Sequence, residues 1–234
     1  FGRKLRNLMP HGYTIAEFAG VRFNQANHLL WALFIIYAAV IGAAINMKGA
    51  SVAISIIYGI DPWTVAAIVG AVVALYAIFG GMWTTATTGS IQGYLIGTLM
   101  VFVIPFAYAK VGGVEWIYQQ LEAAPPRFLN VADAKGAVEF GIMFAIGLQG
   151  AFIAEQSYWQ KVWALRRKYM ERIFLWAGVW FYPIPICIGT LGYFGIAFGM
   201  DMMRDFHGDA VAVGPWLVSH IGLPAFVPIA YSVI

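Results

Sequence analysis

Charge is what this sequence has least of. Asp, Glu, Lys and Arg fill 11% of its 234 positions, against about 25% in an ordinary soluble domain. With 61% hydrophobic residues and a mean hydropathy of +0.75, the chain has the composition of a membrane protein. Soluble-enzyme readings lose their footing, and the net charge of +3 concerns topology rather than nucleic acid. Cysteine is nearly absent. Cys187 stands alone in an apolar run, so no intramolecular disulfide is available and it packs as a small hydrophobe. The four histidines, His11, His28, His207 and His220, show no metal-ligand spacing. The Gly-rich stretch at 80–92 lacks the Gly-Lys-Ser/Thr of a phosphate loop. No nucleophile-base motif appears. The expectation is therefore no enzyme, no catalytic residue, no cofactor, no metal site within the chain and no nucleic-acid partner.

What the sequence has is long apolar runs. A bilayer-crossing helix needs about 20 mainly apolar residues. Candidate spans lie at about 29–60, 63–80, 93–109, 138–160 and 173–198, with a partial one at 223–234. The first is ambiguous, because 32 residues rise about 48 Å against a hydrocarbon core of about 30 Å. It is either one long tilted helix or two spans broken at Lys48-Gly49. Positive charge decides. As one span, it puts residues 1–28 and 161–172 on the same side. These segments hold nine of the 14 Lys and Arg residues. Both are then cytoplasmic, and 110–137 and 199–222 are external.

This gives an all-α polytopic membrane protein with five full transmembrane helices and the start of a sixth. The external Val114–Ala124, VEWIYQQLEAA, is amphipathic and reads as a short surface helix ended by Pro125-Pro126. Trp31, Trp63, Trp83, Trp116, Trp159 and Trp216 fall near span ends, as an aromatic belt requires. The Gly/Thr/Ser-rich 80–92 reads as a tight cytoplasmic turn. Residues 199–222 read as a loop, with His207, Asp205 and Asp209 solvated. The chain opens at Phe1 and stops at Ile234 inside an apolar run, so the expectation is the interior of a longer polypeptide.

The segment Val138–Lys161 carries the strongest functional signal. Gly147, Gln149 and Gly150 occupy its middle, and Glu155 and Gln156 follow a turn later. Glycines loosen a helix and an amide is costly in hydrocarbon, which suggests a broken helix lining a solute path. An interhelical hydrogen bond from Gln149, with glycines permitting close packing, explains the same residues. Asn46 and Lys48 lie inside the first span. An ionisable residue there points to a solute or ion path, although a snorkelling lysine serves as well. Such a lysine leans toward an anionic solute. Pro105, Pro183 and Pro185 are expected to kink their helices.

Three segments resemble the sodium:solute symporter family. His11–Phe23, HGYTIAEFAGVRF, is similar to its pattern of Tyr-Thr, Glu-Phe and Arg-Phe. In Gly80–Gln92, the residues Gly80, Gly81, Thr88 and Gln92 match its Gly-Gly turn leading to Thr-Asp-x-x-Gln, with Gly89 in place of the Asp. In Glu155–Leu165, Gln156, Gln160 and Ala164 match its Gln-x-x-x-Gln-Arg-x-x-Ala, with Lys161 for the Arg.

The resemblance implies a core of two inverted five-helix repeats. This chain would hold the third to fifth helices of the first repeat, then the sixth, the seventh and the start of the eighth. Val138–Lys161 becomes the discontinuous sixth helix. Na⁺ is the implied coupling ion. Its ligands are expected outside this chain, on the first helix and further along the eighth. The implied function is cation-coupled symport of a small polar organic solute by alternating access, in a bacterial inner-membrane setting. Its partners are the solute, Na⁺, lipid and the missing helices of the same polypeptide. Gln149, Gly147, Gly150, Asn46 and Lys48 are the substrate-path candidates. Glu155, Gln156 and Gln92 are gate or structural candidates. A transporter-like sensor domain joined to a signalling module is the alternative. Carboxylates, amines, sugars and urea-like compounds all remain open.

Overall fold

The computed structural model describes residues 2–125, 130 and 134–233. Pro126, Arg127 and Asp133, and the terminal Phe1 and Ile234, lie outside the described residues. The described chain is helical, with no strand. It divides into two compact units, Phe1–Ile45 with Ala132–Trp180, and Asn46–Val131 with Phe181–Ile234.

Four helical stretches are long and apolar enough to cross a membrane: Gln25–Tyr58, Pro62–Lys110, Ala134–Ala154 and Met170–Ala197. Almost none of the residues in their apolar stretches is buried by protein. In water that would be untenable; in a bilayer the lipid is the solvent, and only the backbone needs internal partners.

Helix α1 (Gly2–Leu8) and helix α2 (Ile15–Arg22) precede the first long helix, α3 (Gln25–Tyr58). Helix α3 runs unbroken through Lys48-Gly49. It stops at Gly59, whose φ of 70° is the left-handed turn that ends many helices. Helix α4 (Pro62–Lys110) starts at once. Asp61 caps it by accepting from the Thr64 N–H at 2.9 Å, and Pro62 fills the first position, where no amide is needed.

The expected turn at 80–92 is a single-residue break instead. Gly81 adopts φ 53°, ψ −147°, a conformation open to glycine, and helix resumes immediately. Residues 82–92 stay helical, and most of their hydroxyls bond back along their own helix. Thr85, Thr87, Thr88 and Ser90 donate to the carbonyls of Gly81, Trp83, Thr84 and Ala86 at 2.8–3.0 Å. That back-bonding satisfies four hydroxyls without water. The backbone around Pro105 stays helical within α4.

Helix α5 (Gly113–Glu122) matches the expected amphipathic helix and buries Ile117 and Leu121. Helix α6 (Ala134–Gly136) leads into a π-helical segment, Ala137–Ile142, and then α7 (Met143–Ala154). Helix α8 (Gln156–Ala164) follows, then α9 (Met170–Phe181) and α10 (Pro183–Ala197). Pro183 opens α10 at its first position rather than kinking it from within.

The 199–222 segment is not a plain loop. It contains α11 (Met202–Phe206), a 3-10 turn at Ala210–Ala212, and α12 (Val213–His220). Helix α12 is among the best-buried elements, with Leu217 and Val218 each 1% exposed. Helix α13 (Phe226–Val233) ends the described chain. The core of the second unit joins Ala107, Ile117, Leu121, Leu191, Phe194 and Leu217. Tyr108 meets Phe194 edge to face, 4.7 Å between ring centres.

Candidate functional site

Helix α7 carries the residues singled out for a solute path. The break does not fall at Gly147–Gly150, as expected. The helix continues through both glycines and through Gln149. Nothing lies within 4 Å of where a Cβ on either glycine would stand, so neither makes a close helix contact in this chain. The break lies at Glu155, with φ −76° and ψ 104°. Its N–H still donates to the Ala151 carbonyl at 2.8 Å, and its carboxylate accepts from the Ser157 hydroxyl at 2.8 Å. The Trp159 indole folds back to donate to the Ile153 carbonyl at 2.9 Å. A side chain thus serves one of the carbonyls that the end of α7 leaves open.

Within the first unit these elements line an open cavity of about 800 Å³, at which Gln149 is exposed. Gln149, Phe152 and Ile153 come from α7, and Tyr158, Trp159 and Val162 from α8. Phe18 and Ala19 come from α2, Trp31 from α3 and Phe174 from α9. Arg3 and Glu171 also line it, paired at 3.3 Å. The volume and the mainly apolar lining with few polar groups are those of a small-molecule site. Gln149 is the neutral hydrogen-bonding side chain that α7 contributes to this lining.

Beside the cavity, the N-terminal segment is tied to α8. The Gln156 amide nitrogen donates to the Tyr13 carbonyl at 2.8 Å, and its oxygen accepts from the Ile15 N–H at 3.3 Å. The Trp163 indole donates to the Met9 carbonyl at 2.9 Å. Arg6 donates to the Val162 carbonyl at 3.1 Å and also to that of Leu165, at the end of α8. A cation there suits the negative end of the helix dipole. Leu5, Ile15, Ala16, Ala19, Val162 and Met170 are buried in this unit. Two of the sequence motifs, 11–23 and 155–165, therefore meet. Nothing in the sequence marks Tyr13 and Ile15 as the partners of Gln156, because the contact is made by backbone atoms.

The remaining candidates belong to the second unit. Asn46 is exposed on α3, and Gln92 is exposed on α4. Lys48 pairs with Asp209 at 2.9 Å, with the lysine side chain 64% and the aspartate 25% exposed. The hydrogen bond from Lys48 holds the Asp209 carboxyl below the usual aspartate range; burial opposes the shift and the Val211 N–H adds to it. Asp209 was expected to be solvated, and its pairing with Lys48 was not legible in the sequence. Asp205 is engaged too, by Arg204 at 2.7 Å, which lowers its pKa.

The sequence model of the sodium:solute symporter family matches residues 1–212. The urea-proton symporter DUR3 of Oryza sativa subsp. japonica is 20% identical over 228 residues, covering 85% of this chain and 32% of the relative. The osmoregulated proline transporter OpuE of Bacillus subtilis is 27% identical over 138 residues, covering 58% of this chain and 28% of the relative. An uncharacterized symporter, YwcA, also of Bacillus subtilis, is 31% identical over 133 residues, covering 54% and 25%. The chain spans about a third of the length of DUR3 and less of the others. No solved structure matches. The family and these relatives are transporters rather than enzymes. The apolar helices make the chain integral to a membrane, and the match across residues 1–212 makes it a member of the sodium:solute symporter family.

Proposed function

We propose that this chain forms part of a secondary active transporter that couples Na⁺ to uptake of a small, neutral or zwitterionic polar solute by alternating access. Gln149 in the apolar cavity carries the reading. A neutral amide can donate to and accept from a polar solute without the large desolvation cost of a charge. The pairing of Lys48 with Asp209 removes the reason to favour an anion, since that lysine's charge is already balanced. Two relatives, named as a urea-proton symporter and a proline transporter, fit an uncharged or zwitterionic solute. The family's name supports Na⁺, whereas the name of the rice relative specifies protons, so both ions belong in the test.

The setting we infer is a bacterial inner membrane with residues 1–28 and 161–172 cytoplasmic. The excess of Lys and Arg in those segments supports it. The full-length protein in proteoliposomes, given radiolabelled urea, proline or acetate under an inward Na⁺ or H⁺ gradient, tests the proposal. Saturable uptake of urea or proline driven by Na⁺ is the expected result. Uptake driven only by H⁺ would overturn the coupling ion, and uptake of acetate alone would overturn the solute class.

A further inference from the structure

We infer that Gln156 is a positioning residue for the cavity beside it, a clamp that holds α2 against the break between α7 and α8. The inference rests on reading that cavity as part of the transport path.

Thr14 caps α2, accepting from the Glu17 N–H at 3.1 Å, and Glu17 reaches back to accept from the Tyr13 N–H at 3.0 Å. This is a variant of the capping box, in which side chains serve backbone amides that a helix start leaves open. It does not serve the Ile15 N–H or the Tyr13 carbonyl. Gln156 supplies both, donating to the carbonyl at 2.8 Å and accepting from the amide at 3.3 Å.

The match needs one donor and one acceptor on the same planar group. An ionised carboxylate offers two acceptors and would set one against the Tyr13 carbonyl. An aliphatic side chain offers neither.

Position gives the clamp its consequence. Gln156 is the first residue after the break at Glu155. On one side of it α2 contributes Ile15, Phe18 and Ala19 to the cavity lining; on the other α7 contributes Gln149 and Phe152. The backbone at Glu155 is extended and has left the helix, so α7 and α8 are not one rigid rod. The two bonds from Gln156, with that of Trp163 to Met9, hold this joint to the N-terminal segment. Loosening them frees the α2 wall of the cavity, with its buried Ala19, to move.

The test uses the full-length protein with its native cysteines removed and Ala19→Cys as reporter, in the α2 wall of the cavity at a position 3% exposed. The probe is N-ethylmaleimide and the readout is its rate of modification. Gln156→Met, close in shape but without the amide, should raise that rate about fivefold or more, and Gln156→Glu at pH 7.5 should do the same. The control reporter is Ile146→Cys, on α7 at a position 66% exposed, and its rate should stay within about twofold. An unchanged rate at position 19, or an equal rise at both positions, overturns the inference. The second outcome marks general loosening rather than positioning.

A further arm needs no substitution. In the wild-type protein the Ile15 amide should exchange with deuterium at least about a hundredfold more slowly than its intrinsic chemical rate. Exchange near the intrinsic rate overturns the clamp. Neither readout depends on solute or ion. Failure here is thus distinguishable from failure of the transport reading, which would show as absent uptake with the labelling pattern intact.

Discussion

Each of the two units has its own internal means of cohesion. In the second, α4, α5, α10 and α12 interlock through apolar side chains, with Ala107 and Phe194 fully buried. In the first, α1, α2 and α8 share a smaller apolar core, overlaid by side-chain bonds to backbone atoms from Gln156, Trp163 and Arg6. Apolar packing tolerates substitution by shape and volume. A side chain that bonds a backbone group tolerates only another side chain with the right donor or acceptor. The difference explains why two of the recognisable motifs, 11–23 and 155–165, sit in the bonded unit, whereas the interlocked unit offers mostly composition.

Substitutions can break or sharpen this contrast. Phe194→Ala should cost the most, about 3–5 kcal/mol, because it empties a fully buried aromatic site. Thermal unfolding of the full-length protein in detergent measures it, and a loss below about 1 kcal/mol would deny α10 its place in a packed core. Gly81→Ala comes next, at about 1–3 kcal/mol. A Cβ there meets nothing within 4 Å, so the whole effect is backbone conformation. Trp163→Phe keeps the ring's bulk and removes the bond to Met9, for about 1 kcal/mol. If it instead costs as much as Phe194→Ala, the first unit depends on packing too and the contrast fails.

The smallest effect belongs to Lys48 and Asp209, about 0.2–1 kcal/mol for a partly exposed pair. Its pH dependence has a defined sign. The lysine lowers the carboxyl's pKa in the folded state, so the pair's contribution is fully present above the unfolded value of about 3.9. It is lost as pH falls through the lower, folded value. The stability gap between wild type and Asp209→Asn should thus be constant from pH 7 to about 5 and close below about pH 4. A gap that widens on acidification would show that the pair is not formed.

Much of the helix pattern was legible because it follows from bulk properties. The distribution of Lys and Arg chose one continuous helix through Lys48-Gly49, and α5 announced itself by its amphipathic spacing. Helix α12 did not. It is only eight residues long, and Gly214-Pro215 reads as a turn, although proline is well placed in the first turn of a helix. The stretch 82–92 misled for a related reason. Thr and Ser favour turns in water, yet here their hydroxyls bond back along the helix. Gly147 and Gly150 suggested a break that the structure puts at Glu155, since glycine permits a bend without requiring one. The partners of Gln156 and Lys48 were beyond sequence reasoning, lying 141–143 and 161 positions away along the chain.

The transport reading turns on one side chain. Uptake of radiolabelled proline and urea by full-length Gln149→Ala in proteoliposomes, under an inward Na⁺ gradient and corrected for the amount of protein inserted, tests it most directly. The account predicts that Gln149→Ala reaches the membrane in normal amount and transports at least about tenfold less efficiently than wild type, the loss of a hydrogen bond to a polar solute. Unchanged kinetics in a protein that transports either solute would remove Gln149 from the path and contradict the account.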